Sequence, residues 1–282
     1  MATHTNSIIA NILEILNNIY LLGQEMKTTI IVPAYRAEKY LDECLTSLIN
    51  QTAQNNKSIL KIIVVCDGCE GSYQVAKKYA GKNVFVCLTE TNNGAYHAIN
   101  LGLTLCDLDS DLIGCCGADD VWHSDRLLET ERAANGLLGK MVAYRCLSLD
   151  IDENGKEISR AKPVNSGQFI YDSSVFKKLG MYRAWKCGAD TEFWKRSTAF
   201  GLMVNLIRKP LFYYRRHSQC LTINSATAAG SPDRDFAISE IERLRKCGFY
   251  PAFQWHTVKD YMSAAGSISD HKIRLSSLVA CD

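Results

Sequence analysis

From residue 28 onward, short apolar runs alternate with segments that have helical periodicity. Residues 28–33 (TTIIVP), 60–66 (LKIIVVC), 83–88 and 112–116 each have the length and apolar character of a buried strand. Helices are predicted between them, over residues 41–48, 72–80 and 94–106. Repeated strand–helix units predict an α/β fold whose mostly parallel sheet is covered by helices on both faces.

The second half of the chain has a less regular pattern. Its predicted elements are a strand over 140–152, a turn at 153–155, helices over 173–179 and 190–200, one or two strands over 202–214 interrupted at Pro210, and a charged amphipathic helix over 233–247. Residues 263–282 are polar and weakly patterned. The length of the chain allows one large α/β domain with extra elements, or one domain plus a small second one.

An amphipathic segment precedes the first strand. Apolar residues recur at helical spacing at Ile8, Ile12, Ile15, Ile19 and Leu22. We expect this helix to pack on the body of the protein or on a second copy, which makes a homodimer an expected partner. Binding to a membrane surface is the less favoured alternative, because the polar face has Asn, Gln and Glu rather than Lys and Arg.

Composition narrows the class of protein. The 282 residues have a net charge of +2, which gives no broad attraction for nucleic acid or acidic lipid. The 12 cysteines include no CxxC pair, and this favours reduced thiols over a disulfide or zinc framework. With no signal peptide and no apolar run long enough to span a bilayer, we expect a cytoplasmic protein, or one attached to a membrane surface.

Polar and aromatic residues follow three of the predicted strands. The first strand leads into Pro33-Ala34-Tyr35, the second into Asp67, and the fourth into Asp119 and Asp120. Ligands of open α/β sheets bind beyond the carboxyl ends of the strands. Taken singly, each Asp is an ordinary turn, cap or surface residue, but together they suit hydrogen bonds to ribose or base and coordination of a hard cation.

Six segments in order resemble a known family. The segments IIVPAYRAEKYLDECLTSLINQT, VVCDG, NNGAYHAINLGL, GADD, GADTEFWKR and YYRRH are similar to family 2 of the glycosyltransferases, over about residues 28–220. The resemblance implies a GT-A fold, which is Rossmann-like with helices flanking a mostly parallel central sheet. We expect an N-terminal amphipathic helix (1–27), a GT-A domain (28–220) and a helical C-terminal extension (221–282).

The resemblance also implies roles on the donor side of the site. Pro33, Ala34 and Tyr35 are expected to line the nucleotide base, and Asp67 to hydrogen-bond the base or ribose of the donor. Asp120 falls at the last position of the family's metal-binding motif, and Asp119 is expected to face ribose or metal. The first carboxylate of that motif is absent, because Ala118 stands there.

Further roles come from the second half of the chain. Asp190 falls where the family places its general base, with Glu192 as an alternative. His217 matches a position that contacts diphosphate or metal in related enzymes, and Arg215 and Arg216 are candidates for binding the phosphates.

The function implied is metal-dependent transfer of a sugar. The donor is a nucleoside diphosphate sugar, with UDP-sugars favoured and Mn²⁺ or Mg²⁺ as cofactor. The acceptor is a glycan, a lipid-linked sugar, a protein or a modified nucleic acid. Asp190 would take the proton of the acceptor hydroxyl in an inverting reaction. Two alternatives stay open: a nucleotidyltransferase, and a non-catalytic protein that binds nucleotide sugars.

Overall fold

The computed structural model of the chain describes residues 25–53, 58–81, 83–106, 110–250 and 273–274. The amphipathic helix predicted over residues 7–25 lies outside the described residues apart from its last position. The polar stretch 263–282 also lies outside them, except for the two-residue strand β10 (Ile273–Arg274).

The first half of the chain forms the predicted parallel block. Its strands lie in the order β3, β2, β1, β4, and each is parallel to its neighbour. The strands are β1 (Lys27–Ala34), β2 (Ile59–Cys66), β3 (Val84–Thr89) and β4 (Leu112–Cys115). The helices between them are α1 (Leu41–Ile49), α2 (Glu70–Ala76, continued by a 3₁₀ turn at Lys77–Tyr79) and α3 (Ala95–Leu105).

Burial explains why these runs become strands and helices. Ile30, Ile31 and Val32 in the middle of β1 have no exposed surface, so both faces of this central strand are covered. In α1, the side chains of Leu41, Cys44, Leu45 and Leu48 face the core at the predicted spacing.

The second half adds short antiparallel pairings, so the sheet is mixed, and the prediction of a mostly parallel sheet is confirmed. Strand β8 (Ile170–Asp172) is antiparallel to both β4 and β6 (Val142–Ile151). Strand β9 (Met203–Arg215) is parallel to β6 and antiparallel to β5 (Val121–Trp122). The order is β10-β3-β2-β1-β4-β8-β6-β9-β5, with β7 (Lys162–Pro163) paired to β6. Strands alternate regularly with helices only in the parallel block, and this alternation is the pattern that sequence periodicity detects.

Strand β9 is continuous through Pro210, so the predicted interruption is wrong. Pro210 pairs with Leu147 where the register between β6 and β9 shifts. Proline lacks the N–H that a regular ladder uses, and irregularities of register accommodate it. The strand therefore reaches Arg215 and delivers the residues after it to the end of β4.

The remaining helices are α4 (Arg126–Ala134), α5 (Ser173–Leu179), α6 (Ala189–Ala199) and α7 (Pro232–Cys247). Helix α7 begins as predicted, with the Ser231 hydroxyl accepting the Arg234 N–H and Pro232 in the first turn. Helix α4 is an addition to the predicted elements. Two of its buried residues, Arg126 and Glu131, are charged, and this hides the apolar stripe from the sequence.

Candidate functional site

The carboxyl ends of β1 and β2 bring the first group of predicted residues together. Pro33 and Ala34 pair with Val65 and Cys66, and the Asp67 N–H donates to the Ala34 carbonyl at 2.9 Å. Tyr35 follows with 43% of its surface exposed. An exposed aromatic ring at the mouth of the sheet is suited to stacking on a nucleotide base, the role that the family resemblance gives it.

The Asp67 carboxylate organises the loop before α3. Its oxygens accept the main-chain N–H groups of Asn93, at 3.0 and 3.1 Å, and Gly94, at 2.7 Å. Asp67 is 2% exposed. The predicted contact of Asp67 with base or ribose would therefore be made by a carboxylate that already binds the protein's own backbone.

The two acidic residues after β4 have different surroundings. Asp120 is buried, with Oδ1 accepting the Arg215 N–H at 3.0 Å and Oδ2 lying 3.4 Å from the Gln168 amide nitrogen. Burial, followed by the nearby charge of Asp119, holds the pKa of the Asp120 carboxyl well above its usual range. Asp120 thus faces the interior and ties the acidic motif to β9.

Asp119 is the residue of the pair that points toward His217. Its Oδ2 lies 2.8 Å from His217 Nε2, and its side chain is 29% exposed. The His217 ring packs on Tyr40, with the ring centroids 5.0 Å apart. The sequence assigned Asp120 and His217 to metal, whereas in the structure the carboxylate beside His217 belongs to Asp119.

A third ligand atom lies at the same place. Asp119, His217 and Cys220 each offer one ligand atom, and these atoms all lie within 4.8 Å of one another. A carboxylate and an imidazole are suitable ligands for Mn²⁺ and similar divalent ions. The residues present therefore fit a divalent metal, with Asp119 and His217 as the ones that would hold it.

The side chains of both arginines that precede His217 bind other groups of the protein. Arg215 is 1% exposed, and its guanidinium donates to the Asp119 carbonyl at 2.9 Å and to the Glu43 carboxylate at 2.5 Å. Arg216 is paired with Asp150 at 2.9 Å. The suggestion that Arg215 binds phosphate is therefore corrected, because its donors are consumed in bracing the end of β9.

Asp190 lies in the first turn of α6, beyond Gly188. Oδ1 accepts the Tyr96 hydroxyl at 2.6 Å, and Oδ2 accepts the Ser166 hydroxyl at 2.8 Å. Burial raises the pKa of Tyr96 well above its usual range, so that this phenol keeps its proton and donates. The N-cap position of α6 is Gly188, which leaves Asp190 free of a capping role.

Glu192 has a structural role, which corrects its place as the alternative base. It has no exposed surface, and its carboxylate binds Arg183 at 3.1 Å and Arg196 at 3.0 Å. Both oxygens of this carboxylate are bound by guanidinium groups in the protein interior, so an acceptor hydroxyl cannot reach them.

A single 3₁₀ turn at Ser166–Gln168 contacts both sides of the site. The Ser166 hydroxyl donates to Asp190, and the Gln168 side-chain amide reaches Asp120. Gln168 also accepts, through its carbonyl, a hydrogen bond from the buried Arg126. The acidic motif and Asp190, 70 positions apart in sequence, are in this way held by residues two positions apart.

Sequence reasoning missed Tyr96, Ser166, Gln168 and Cys220. Ser166 and Gln168 lie in an irregular stretch with no strand or helix period, so nothing marked them. Tyr96 stands inside the segment NNGAYHAINLGL and Cys220 lies three residues beyond YYRRH, but only their side-chain contacts reveal what they face.

Comparisons with known proteins agree with this architecture. The sequence model of the family described as Glycosyl transferase family 2 matches residues 29–160. An uncharacterized glycosyltransferase of Haemophilus influenzae is 26% identical over 217 residues, covering 67% of this chain and 65% of that protein. Glycosyltransferase GlyA of Streptococcus pneumoniae is 32% identical over 121 residues, covering 42% of this chain and 16% of that protein.

A solved structure shares the fold. The structure of Staphylococcus aureus TarS residues 1–349 in complex with UDP-GlcNAc superimposes with a TM-score of 0.58 at 20% identity, covering 68% of this chain and 59% of that one. TarS is a poly(ribitol-phosphate) beta-N-acetylglucosaminyltransferase, and 71 residues of it are 39% identical, covering 24% of this chain and 12% of that protein.

The chain spans less than two thirds of the length of these relatives. Within the part of the chain that the structure describes, no helix has both the length and the apolar character needed to cross a bilayer.

Proposed function

Because the chain belongs to glycosyl transferase family 2, we propose that it transfers a sugar from a nucleoside diphosphate sugar to an acceptor hydroxyl. The observation that supports this best is the turn at Ser166–Gln168, which links the acidic motif to Asp190. Transfer requires a donor and an acceptor hydroxyl to meet in fixed geometry, and this turn fixes Asp190 relative to Asp120, the buried neighbour of the proposed cation ligand Asp119.

On the donor side, Asp119 and His217 would hold a divalent cation, and Pro33, Ala34 and Tyr35 would line the base. Enzymes with this fold commonly use such a cation, whose positive charge would offset the charge that develops on the leaving diphosphate. The ion pair between Arg215 and Glu43 fixes the end of β9 just before His217, and so helps to position that imidazole.

On the acceptor side, Asp190 would act as general base in an inverting transfer. Its two oxygens each accept one hydrogen bond, and each has a further lone pair for an acceptor hydroxyl. Tyr96 and Ser166 fix the carboxylate so that it faces one direction. As the acceptor oxygen attacks the anomeric carbon, the hydroxyl proton passes to Asp190 and the bond to the diphosphate breaks.

UDP-sugars are the proposed donors, and UDP-GlcNAc is the first one to test. The support is the fold shared with TarS, whose structure contains UDP-GlcNAc. The acceptor is proposed only as a class that offers a hydroxyl: a glycan, a lipid-linked sugar, a protein or a modified nucleic acid. A homodimer through residues 7–25 and a cytoplasmic or membrane-surface location stay predictions.

The nucleotidyltransferase alternative is disfavoured by the loop after β1. Such an enzyme needs free main-chain N–H groups to bind a triphosphate. Here the Arg36 N–H donates to the Cys69 sulfur at 3.3 Å and the Ala37 N–H to the Ser72 hydroxyl at 2.9 Å. The loop binds α2 through these groups and offers neither of them to a ligand.

Calorimetric titration with UDP, GDP, CDP and dTDP, each with and without Mn²⁺, tests the proposal. We expect selective binding of UDP that strengthens with Mn²⁺, and loss of that strengthening in Asp119→Asn. No binding of any nucleotide by folded protein would contradict the donor site. Pyrophosphate release from a nucleoside triphosphate would favour the nucleotidyltransferase. Tight binding of UDP-GlcNAc without hydrolysis or transfer would favour the non-catalytic protein.

A further inference from the structure

A cysteine thiol borders the carboxylate and imidazole that would hold the cation. Cys220 Sγ lies 4.0 Å from Asp119 Oδ2, the same oxygen that lies 2.8 Å from His217 Nε2. Cys220 is 3% exposed, and its sulfur belongs to the one group of three metal-ligating side chains found among the residues that the structure describes.

Backbone geometry ties the sulfur to the imidazole. His217 and Cys220 stand three residues apart on one turn, in which the Cys220 N–H donates to the His217 carbonyl at 3.1 Å. The His217 N–H points back at the sulfur, with 3.4 Å between nitrogen and Sγ. Because both residues belong to one turn, the two side chains can approach a common ion without a change of fold.

We propose that Cys220 is a third protein ligand of the divalent cation, and that it tunes the site toward soft and borderline ions such as Zn²⁺ and Co²⁺ over Mg²⁺. The inference rests on the proposed function, since Asp119 and His217 are its cation-holding residues. Mg²⁺ demands oxygen ligands in near-octahedral geometry, whereas thiolate sulfur selects softer metals. When the ion binds, the thiol proton leaves to solvent and the sulfur lone pair forms the bond to the metal.

A purely structural role for Cys220 is the competing explanation. The thiol donates to the Arg215 carbonyl at 3.2 Å while the sulfur accepts from His217, and these bonds alone would close the turn. A serine hydroxyl can make both hydrogen bonds but is a hard ligand. Cys220→Ser therefore separates the two explanations, because it preserves the turn and removes the sulfur.

The test is titration with Co²⁺, read by the near-ultraviolet absorption band of a cobalt–thiolate bond. The background is the Cys247→Ser/Cys281→Ser double variant, which removes exposed Cys247 and a cysteine outside the described residues. We expect the band in this background and its loss on adding Cys220→Ser, while calorimetry still detects Co²⁺ binding. Zn²⁺ should displace Co²⁺ better than Mg²⁺ does, and Cys220→Ser should reduce this preference by about tenfold or more.

Two results would overturn the inference. One is a bound Co²⁺ without a thiolate band in the background protein, and the other is a band that persists unchanged in Cys220→Ser. His217→Ala is the negative control, because removal of this imidazole should abolish Co²⁺ binding at the site. If UDP still binds with Mn²⁺ while the band is absent, only the role of Cys220 fails. If neither UDP nor Co²⁺ binds, the proposed function fails with it.

Discussion

Gly117 gives the two acidic side chains room to fold back against the end of β4. A Cβ atom at this position would lie 2.6 Å from Asp120 Oδ2 and 2.8 Å from Asp119 Oδ1. Both distances are far below ordinary van der Waals contact, so in Gly117→Ala each carboxylate must retreat by roughly half an ångström or more. The atoms that must move are the ends of side chains, not the backbone.

The expected effect is a large loss of metal affinity with little loss of stability. Metal sites tolerate ligand displacements of only about 0.2 Å, and disturbance of the groups that orient a ligand typically costs about 10–100-fold in affinity. We expect a loss of that size for Mn²⁺ in Gly117→Ala. The free energy of unfolding should change by no more than about 1 kcal/mol, because alanine also restricts the unfolded chain.

The assay is calorimetry with Mn²⁺, with and without UDP, beside urea unfolding of the same sample. Gly81→Ala is the matched control, since the nearest atom to a Cβ there is the Tyr79 carbonyl oxygen at 3.9 Å. This control should bind Mn²⁺ as the original protein does. Wild-type Mn²⁺ affinity in a folded Gly117→Ala protein would refute the assignment of the cation to Asp119.

Two further changes test other parts of the structure. Tyr96→Phe removes the hydrogen bond to Asp190 and should lower kcat by about tenfold, the equivalent of one charge-assisted bond, while UDP binds unchanged. Equal loss of UDP affinity would show that Tyr96 acts on the fold instead. Glu131 is buried, and burial raises the pKa of its carboxyl from 4.5 to about 7. The folded state thus holds this proton over a range where the unfolded state has lost it, and stability falls as the pH rises from 4.5 to 7. Glu131→Gln should remove that fall and be more stable by about 3 kcal/mol above pH 7, as measured by urea unfolding at several pH values. Parallel pH profiles for the two proteins would contradict the burial argument.

The parallel block could be predicted from sequence because each element there has a clear period. The fully buried strand β1 reads as one apolar run, and α1 has a single apolar stripe. Asp67 and Asp119, which come after β2 and β4, could be placed at one edge of the sheet because parallel strands end at the same edge. The mixed half could not be predicted in the same way, because its strands pair across long and irregular connections.

Only part of the proposed acceptor side of the site could be predicted from the sequence. Asp190 was found through the family resemblance, but its partners Tyr96 and Ser166 lie 94 and 24 positions away in sequence. No local pattern encodes such contacts. The division of labour between Asp119 and Asp120 was also hidden, because adjacent residues differ here only in whether the side chain turns toward Arg215 or toward His217.

The central claim is that Asp190 takes the proton of the acceptor, and its most direct test is turnover of UDP-GlcNAc by Asp190→Asn. Release of UDP should be measured with Mn²⁺ and a mixed panel of acceptors, beside Asp235→Asn, which changes an exposed carboxylate on α7. We predict that Asp190→Asn lowers turnover by about 10²–10⁴-fold and leaves the Kd for UDP unchanged, while Asp235→Asn matches wild type. Near-wild-type turnover in Asp190→Asn would contradict the account.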